Sequence, residues 1–347
     1  MRKFMVVAIL LLAVVLPQMA EAWNSTGHMV IAAMTYQGLQ PSTRQKVDAI
    51  LAKHPRCQEW KGQWKADIGA ALSLYIFMRA ATWPDEIRDE KYTWVKQAGV
   101  FVKKDGKVVI DPNKAAERKA YNHPNWHYVD YPLVPKSFAM RSRPTPNDDV
   151  IYGIKYSQKK VHTKTTSEPE RAIYLSWLIH VTGDIHQPEH CATLFGNAFP
   201  YGDRGGNWFY VKTATRQPFE LHGFWDALLG TSEAPKSVLD TAHKLAIDPT
   251  LVRSKFPELT KHKTVESWGL ESRKDAVSTV YLRGTLTAAP AKFALDPKTK
   301  EPVLLSVDKP KANDLPKDYQ SDATATARRR FALASYRLDD ELARYLK

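Results

Sequence analysis

Cysteine is scarce: Cys57 and Cys191 are the two in 347 residues. Two cysteines exclude a disulfide framework. An oxidising compartment permits one bridge between them, and Cys191, directly after His190, could equally be a small buried residue. Beyond residue 22 no apolar run is long enough to cross a bilayer. The Gly-rich stretch at 201–208 lacks Gly-Lys-Ser/Thr and a preceding parallel strand, which excludes a P-loop. There is no internal repeat, no low-complexity tract and no evident linker. Acid is short as well, with 37 Asp and Glu against 50 Lys and Arg, a formal charge of +13.

Residues 1–22 have the form of a secretory signal peptide. Arg2 and Lys3 make a basic start, 4–16 is apolar but too short to span, and Ala20-Glu21-Ala22 is an A-x-A cleavage signal. Cleavage there makes Trp23 the new N-terminus and sends the protein to the periplasm or the medium. The mature chain, 23–347, keeps a charge of +12. That suits an anionic partner such as nucleic acid or a phosphate-rich surface.

The periodicity predicts a mainly α, single-domain protein with small β-hairpins. Helices are expected from Met29 to Leu39, over 41–53, within 64–81, and over 149–162, 168–187, 236–246, 265–284 and 322–346. A further short helix should begin at Pro84, since proline suits a first turn. Hairpins are expected at 100–110, turning at Asp105-Gly106, and around 295–307. Residues 122–132 read as a short aromatic extended segment, followed by a proline-rich surface loop to about Asn147. Arg328, Arg329 and Arg330 on the last helix read as solvated charge.

The chemistry concentrates in 180–190, HVTGDIHQPEH. His180 and Asp184 lie four apart, on one face of a helix. Pro188 limits that helix, so His190 approaches from another direction. His222 and Asp226, in LHGFWDALLG, repeat the i, i+4 pair. Two such pairs, both in apolar helices, are a way to build a multi-zinc pocket. His28 could face solvent at a helix start, or could join the freed α-amino group, whose pKa of about 8 lets it ligate metal. Asp85 and Arg88 sit i, i+3 and could simply serve a helix dipole. His127 and Asp130 could be core hydrogen-bonders. The loop Tyr201-Gly202-Asp203-Arg204-Gly205-Gly206-Asn207-Trp208 is either an ordinary turn or a place where backbone and Asn207 approach a flat ligand.

Together these pieces resemble the zinc-dependent, single-strand-specific nucleases and 3′-nucleotidases of fungi and plants. Bacterial zinc phospholipase C is a more distant relative. The resemblance rests on Trp23 with His28 five later, Trp83-Pro84-Asp85-x2-Arg88, His127-Tyr128-Val129-Asp130, His180-x3-Asp184-x-His186-Gln187-Pro188-x-His190, Arg204-Gly205-Gly206-Asn207 and Leu221-His222-x2-Trp225-Asp226. It covers nearly all of 23–347.

The resemblance implies three Zn2+. Asp85, His127, His180 and Asp184 would hold one, and His190, His222 and Asp226 a second. The amine and carbonyl of Trp23, with His28 and the shared Asp184, would hold the third. It implies in-line attack on phosphorus by a zinc-bound hydroxide, with Arg88 and zinc stabilising the developing charge. The substrates implied are single-stranded DNA and RNA, cut to 5′-phosphorylated products, and 3′-nucleotides. Tyr128 would stack on a base while Asp130 and Asn207 bond its edge, and Arg204 would stack on the base or contact phosphate. Glu189 stands where the family has leucine, and the 191–201 segment is longer than in fungal members. The protein is expected to act as a monomer. A phospholipase C would carry His-x3-Glu in place of His222-x3-Asp226. A basic binding protein without catalysis is the alternative of another class.

Overall fold

The computed structural model describes residues 23–135 and 148–346. The expected signal peptide and most of the proline-rich loop therefore lie outside the described residues. The fold is mainly α, as the periodicity predicted. Its helices are α1 (Ser25–Gly38), α2 (Pro41–Leu51), α3 (Cys57–Gln63), α4 (Leu72–Glu86), α5 (Pro112–Tyr121), α6 (Val150–His162), α7 (Glu168–Asp184), α8 (Leu221–Asp226), α9 (Pro235–Ala246), α10 (Glu258–Lys261), α11 (Val265–Asp275) and α12 (Tyr319–Tyr345). The described β-structure is confined to two-stranded pairs.

The centre is α7. Glu168 and Glu170 favour its N-terminal dipole, and Pro169 occupies the first turn. From 172 to 184 every residue is buried. A helix apolar on all faces must be enclosed by other helices, and α1, α2, α4, α6 and α12 pack on it. The approach of α1 to α7 is set by Gly183: a Cβ there would lie 2.9 Å from His28 Nδ1. No larger residue leaves room for that ring. A second apolar cluster forms around Trp208, Phe209, Trp225 and Tyr281.

Several expected boundaries differ. No helix fills 64–71; a 3-10 turn at Ala66–Ile68 ends at Gly69, with φ +77°, before α4 begins. Pro84 does not start a new helix but lies inside α4. It sits in the last turn, where its missing N–H sacrifices a single ladder bond and leaves the preceding turns intact. The 265–284 helix is broken: α11 gives way to a π-turn at Ala276–Val280 and a 3-10 turn at Leu282–Gly284. His127 ends a 3-10 turn, Pro124–His127, rather than standing in an extended run. Helices α3 and α5 were not anticipated; α5 carries its own N-terminal signal, Asp111 accepting from Asn113 N and Lys114 N. Both hairpins formed, the second pairing Ala291–Leu295 with Pro302–Val307. Cys57 and Cys191 are both buried and free.

The arginine triplet corrects the solvated-charge expectation. Arg328 and Arg329 pair with Asp248 and Glu258. Arg330 is buried, donating to the His186 carbonyl at 3.1 Å and also to Ser272 Oγ and Glu271. It thereby ties α12 to the turn that follows α7.

Candidate metal centre

Three helices bring the first group of side chains together. α1 supplies His28, the end of α4 supplies Asp85, and α7 supplies His180 and Asp184, while His127 enters from the 3-10 turn before α6. Asp184 is fully buried and central. Its Oδ1 lies 3.2 Å from His28 Nε2, and its Oδ2 lies 3.2 Å from His180 Nε2 and 3.1 Å from His127 Nδ1. Asp85 Oδ1 is 3.5 Å from His127 Nδ1 and 3.7 Å from His180 Nε2. Two overlapping donor sets result, His28–His180–Asp184 and Asp85–His127–His180.

The second group is His190, His222 and Asp226. His190 Nε2 and His222 Nε2 face each other at 3.2 Å, and Asp226 Oδ2 lies 3.3 Å from His222 Nε2. Pro188 opens a short 3-10 turn, Pro188–Cys191, that redirects the chain and delivers His190.

These residues fit divalent metal for a reason independent of proximity. His180 Nδ1 faces the Ala81 carbonyl at 2.7 Å, His190 Nδ1 the His127 carbonyl at 2.5 Å, and His222 Nδ1 the Gly205 carbonyl at 2.5 Å. A carbonyl can only accept, so each Nδ1 carries a proton and Nε2 is the nitrogen turned inward. His28 Nε2, His127 Nε2 and Asp184 Oδ1 are buried without a hydrogen-bond partner among the described residues. Buried polar atoms normally have partners, and a cation would supply one. Burial pushes His190 down to about 3 and His127 down to about 4, so both rings are neutral at ordinary pH, as metal ligation requires. Burial opposes charge on Asp184. The His180 charge and hydrogen bonds from His127 and His180 outweigh it, holding the carboxyl well below its usual range.

Gln187 was missed as a site residue although it stands inside the motif. Its Nε2 donates to Asp226 Oδ1 at 2.9 Å, leaving Oδ2 for the cluster. His186 is not in the cluster: its Nδ1 bonds the Thr182 carbonyl, and its Nε2 accepts from Arg337 at 2.9 Å. Arg88 Nη1 sits 3.1 Å from Asp85 Oδ1, at the edge of the first group.

The residues expected around a base lie on two segments laced together. Val129 N donates to the His190 carbonyl, Pro132–Leu133 pairs in parallel with Thr193–Leu194, and Leu194 N donates to Asp203 Oδ1. This brings Tyr128 and Asp130 alongside the Gly-rich loop. Thr193 Oγ1 donates to Asp130 at 2.5 Å, and Asn207 Nδ2 donates to the Arg204 carbonyl at 2.6 Å. The Arg204 guanidinium lies 4.4 Å over the Trp208 ring and donates to the Pro302 carbonyl.

Behind the loop, Glu189 is buried with both carboxyl oxygens lacking a hydrogen-bond partner among the described residues. Burial and the neighbouring Asp203 carboxyl push it well above the usual range, which favours its neutral form. Burial likewise raises Asp203 to about 7 against 3.8. A raised folded pKa means the folded state binds the extra proton. The stabilisation is therefore complete below 3.8 and is lost as pH rises through about 7. Urea unfolding across this range should show that decline, and Asp203→Asn should flatten it; an equally steep profile in the variant would show that another group is responsible.

Fold and site together define a class: a mainly helical protein with histidine and aspartate donor sets buried among its inner helices. The family model described as S1/P1 Nuclease matches residues 23–347, the whole length after the expected cleavage point. The chain belongs to that family, which makes it a hydrolytic, metal-dependent nuclease acting on nucleic acid. A comparison with curated proteins finds no match. No described helix is long and apolar enough to cross a membrane.

Proposed function

We propose that the mature chain, freed at Trp23, is an exported phosphodiesterase with three Zn2+ that cuts single-stranded DNA and RNA to 5′-phosphorylated products and also dephosphorylates 3′-nucleotides. The observation that carries this reading is the set of imidazole nitrogens converging on Asp184: His180 Nε2, whose Nδ1 is held by the Ala81 carbonyl, His28 Nε2, without a hydrogen-bond partner among the described residues, and His127 Nδ1 at 3.1 Å. Nitrogen and carboxylate donors without thiolate suit zinc in a catalytic setting.

Asp85, His127, His180 and Asp184 would hold one ion; His190, His222 and Asp226 another; His28, Asp184 and the Trp23 terminus a third. Bound zinc would lower the pKa of water to about 7 and polarise phosphoryl oxygens. Arg88, restrained by Asp85, would receive the non-bridging oxygens as charge builds on them. Tyr128 would offer a face for one base, with Asp130 and Asn207 at its edge; a base can stack there only outside a duplex. Arg204 would serve the loop through Trp208 rather than touch the base.

The test is incubation of the processed protein with a single-stranded oligonucleotide, the matched duplex and phosphatidylcholine, with and without a chelator. Chelator-sensitive cutting of the single strand to 5′-phosphate ends is expected. Release of phosphocholine with an intact oligonucleotide would refute the nuclease chemistry and leave the metal centre standing.

The Trp23 ligand has its own consequence. Trp23 is fully buried, its ring edge-on to Phe331 at 4.6 Å, and Asn24 caps α1 by accepting from Gly27 N at 2.9 Å. Residues left in front of Trp23 should therefore cost about one zinc per chain and most activity, without unfolding α1. Full metal content in an extended form would remove the terminus from the ligand set.

A further inference from the structure

Between Arg88 and His127 the chain leaves the helical body for a small β-excursion over 94–110, whose chemistry the metal centre does not use. Val95 N donates to the Val109 carbonyl at 2.8 Å, Val102 N to Val95 at 3.0 Å, and Val109 N to Val102 at 3.0 Å. These three bonds form a triangle at the base of two short hairpins, Lys96–Gln97 with Val100–Phe101 and Lys103–Lys104 with Lys107–Val108. Both tips turn with positive φ at two successive residues, Ala98-Gly99 and Asp105-Gly106. These are primed turns that match strand twist. An isolated two-stranded hairpin is marginal in water; tying two hairpins together through Val95, Val102 and Val109 makes the excursion a defined surface.

That surface carries Lys96, Lys103, Lys104 and Lys107 against Asp105 alone. All four lysines are exposed, and among the described residues none pairs with a carboxylate. Phe101 and Trp94 pack edge to face at 5.0 Å beneath them, with Lys96 over the Phe101 ring. The feet of the excursion stand on the site. Arg118 of α5 donates to the Ile87 and Arg88 carbonyls, both at 3.1 Å, and Asp111 N donates to the Thr93 carbonyl. Its N-terminal foot therefore follows Asp85 and Arg88, and its C-terminal foot leads through α5 to His127.

We propose that the 94–110 triangle is a polyanion-binding arm that holds the phosphate backbone of a single-stranded polynucleotide outside the metal centre. This rests on the proposed function and deepens it: mononucleotides and dinucleotides would not reach the arm, and long strands would. Unpaired lysines on a rigid support gain affinity by releasing counterions from the strand, at about 0.7 per phosphate neutralised. Interleaved aromatic edges suit a chain of bases.

The experiment uses metal-loaded protein and a variant with Lys96, Lys103, Lys104 and Lys107 all changed to Gln. Affinity for a phosphorothioate 30-mer is measured by fluorescence anisotropy at a series of salt concentrations, alongside kcat/KM on a dinucleoside monophosphate. The variant should bind the 30-mer tenfold or more weakly at 0.1 M salt. Its log affinity against log salt should be shallower by up to about 3. Dinucleotide hydrolysis should stay within twofold of the parent, and Lys→Arg at the same positions should restore 30-mer binding. Unchanged 30-mer affinity would overturn the proposal. So would an equal loss on the dinucleotide, because the lysines would then act on the site. Loss of binding to phosphatidylserine vesicles with 30-mer affinity intact would assign the arm to a membrane surface and overturn it too. If the parent cuts neither substrate, the nuclease reading fails, and the anisotropy arm still decides this one.

Discussion

Asp184→Asn is expected to lose activity and metal together. Asp184 presents one oxygen to His28 and the other to His180 and His127, all near 3.2 Å. An asparagine keeps the shape, but its NH2 has no lone pair to give to a cation. The His28–His180–Asp184 set loses its only carboxylate, and the oxygen facing His180 and His127 loses its charge. Breaking a buried charged set costs about 3–5 kcal/mol, which in rate is about 10²–10⁴-fold. The check is kcat alongside metal content per chain, with circular dichroism to show the helices intact. A variant with full metal and near-parental activity would remove Asp184 from the centre of the site.

Gly206→Val should be the most damaging change in the Gly-rich loop. Gly206 has φ +83°, and a Cβ there would fall 2.0 Å from Glu189 Oε1. A β-branched residue is a severe outlier at such an angle. Strain of about 1–3 kcal/mol and overpacking of about 1–3 kcal/mol both apply. Glu189 is itself buried. The loop would have to shift, moving the Gly205 carbonyl that orients His222. Loss of stability should therefore be accompanied by loss of metal at His190–His222–Asp226. Gly223→Ala is the control: nothing lies within 4 Å of the added Cβ, and in a helix alanine gains up to about 1 kcal/mol. Urea unfolding and metal content on the two variants separate the cases; equal stability would mean the loop tolerates the side chain.

The i, i+4 spacing of His180 with Asp184 and of His222 with Asp226 was legible because helix geometry is local. A turn of helix fixes which side chains share a face whatever lies around it. The stop at Pro188 was legible for the same reason, since a proline acts on its own ladder. Pro84 shows where local rules weaken: the same residue is a start signal or is tolerated in a last turn, and only the packing of α4 on α1 and α7 decides. The break after Asp275 was hidden because the apolar period continues through the π-turn. Arg330 was misread because a charge on a helix is solvated by default. Its burial depends on the His186 carbonyl, 144 residues away in the chain.

By itself, then, the sequence determined the helical class and the donor types, from the near-absence of cysteine to the repeated His/Asp pairs. It also determined the motif order that places the chain in its family. All of these are properties of composition and short spacing. Only the tertiary structure decided which nitrogen of each imidazole turns inward, because that is set by carbonyls at Ala81, His127 and Gly205, far away in the chain for His180, His190 and His222. It likewise decided that Gln187 aims Asp226, that Arg204 lies on Trp208, and that two short hairpins are tied into one lysine-bearing surface. Such contacts join residues whose separation carries no periodic signal, so they exist only once the helices have packed.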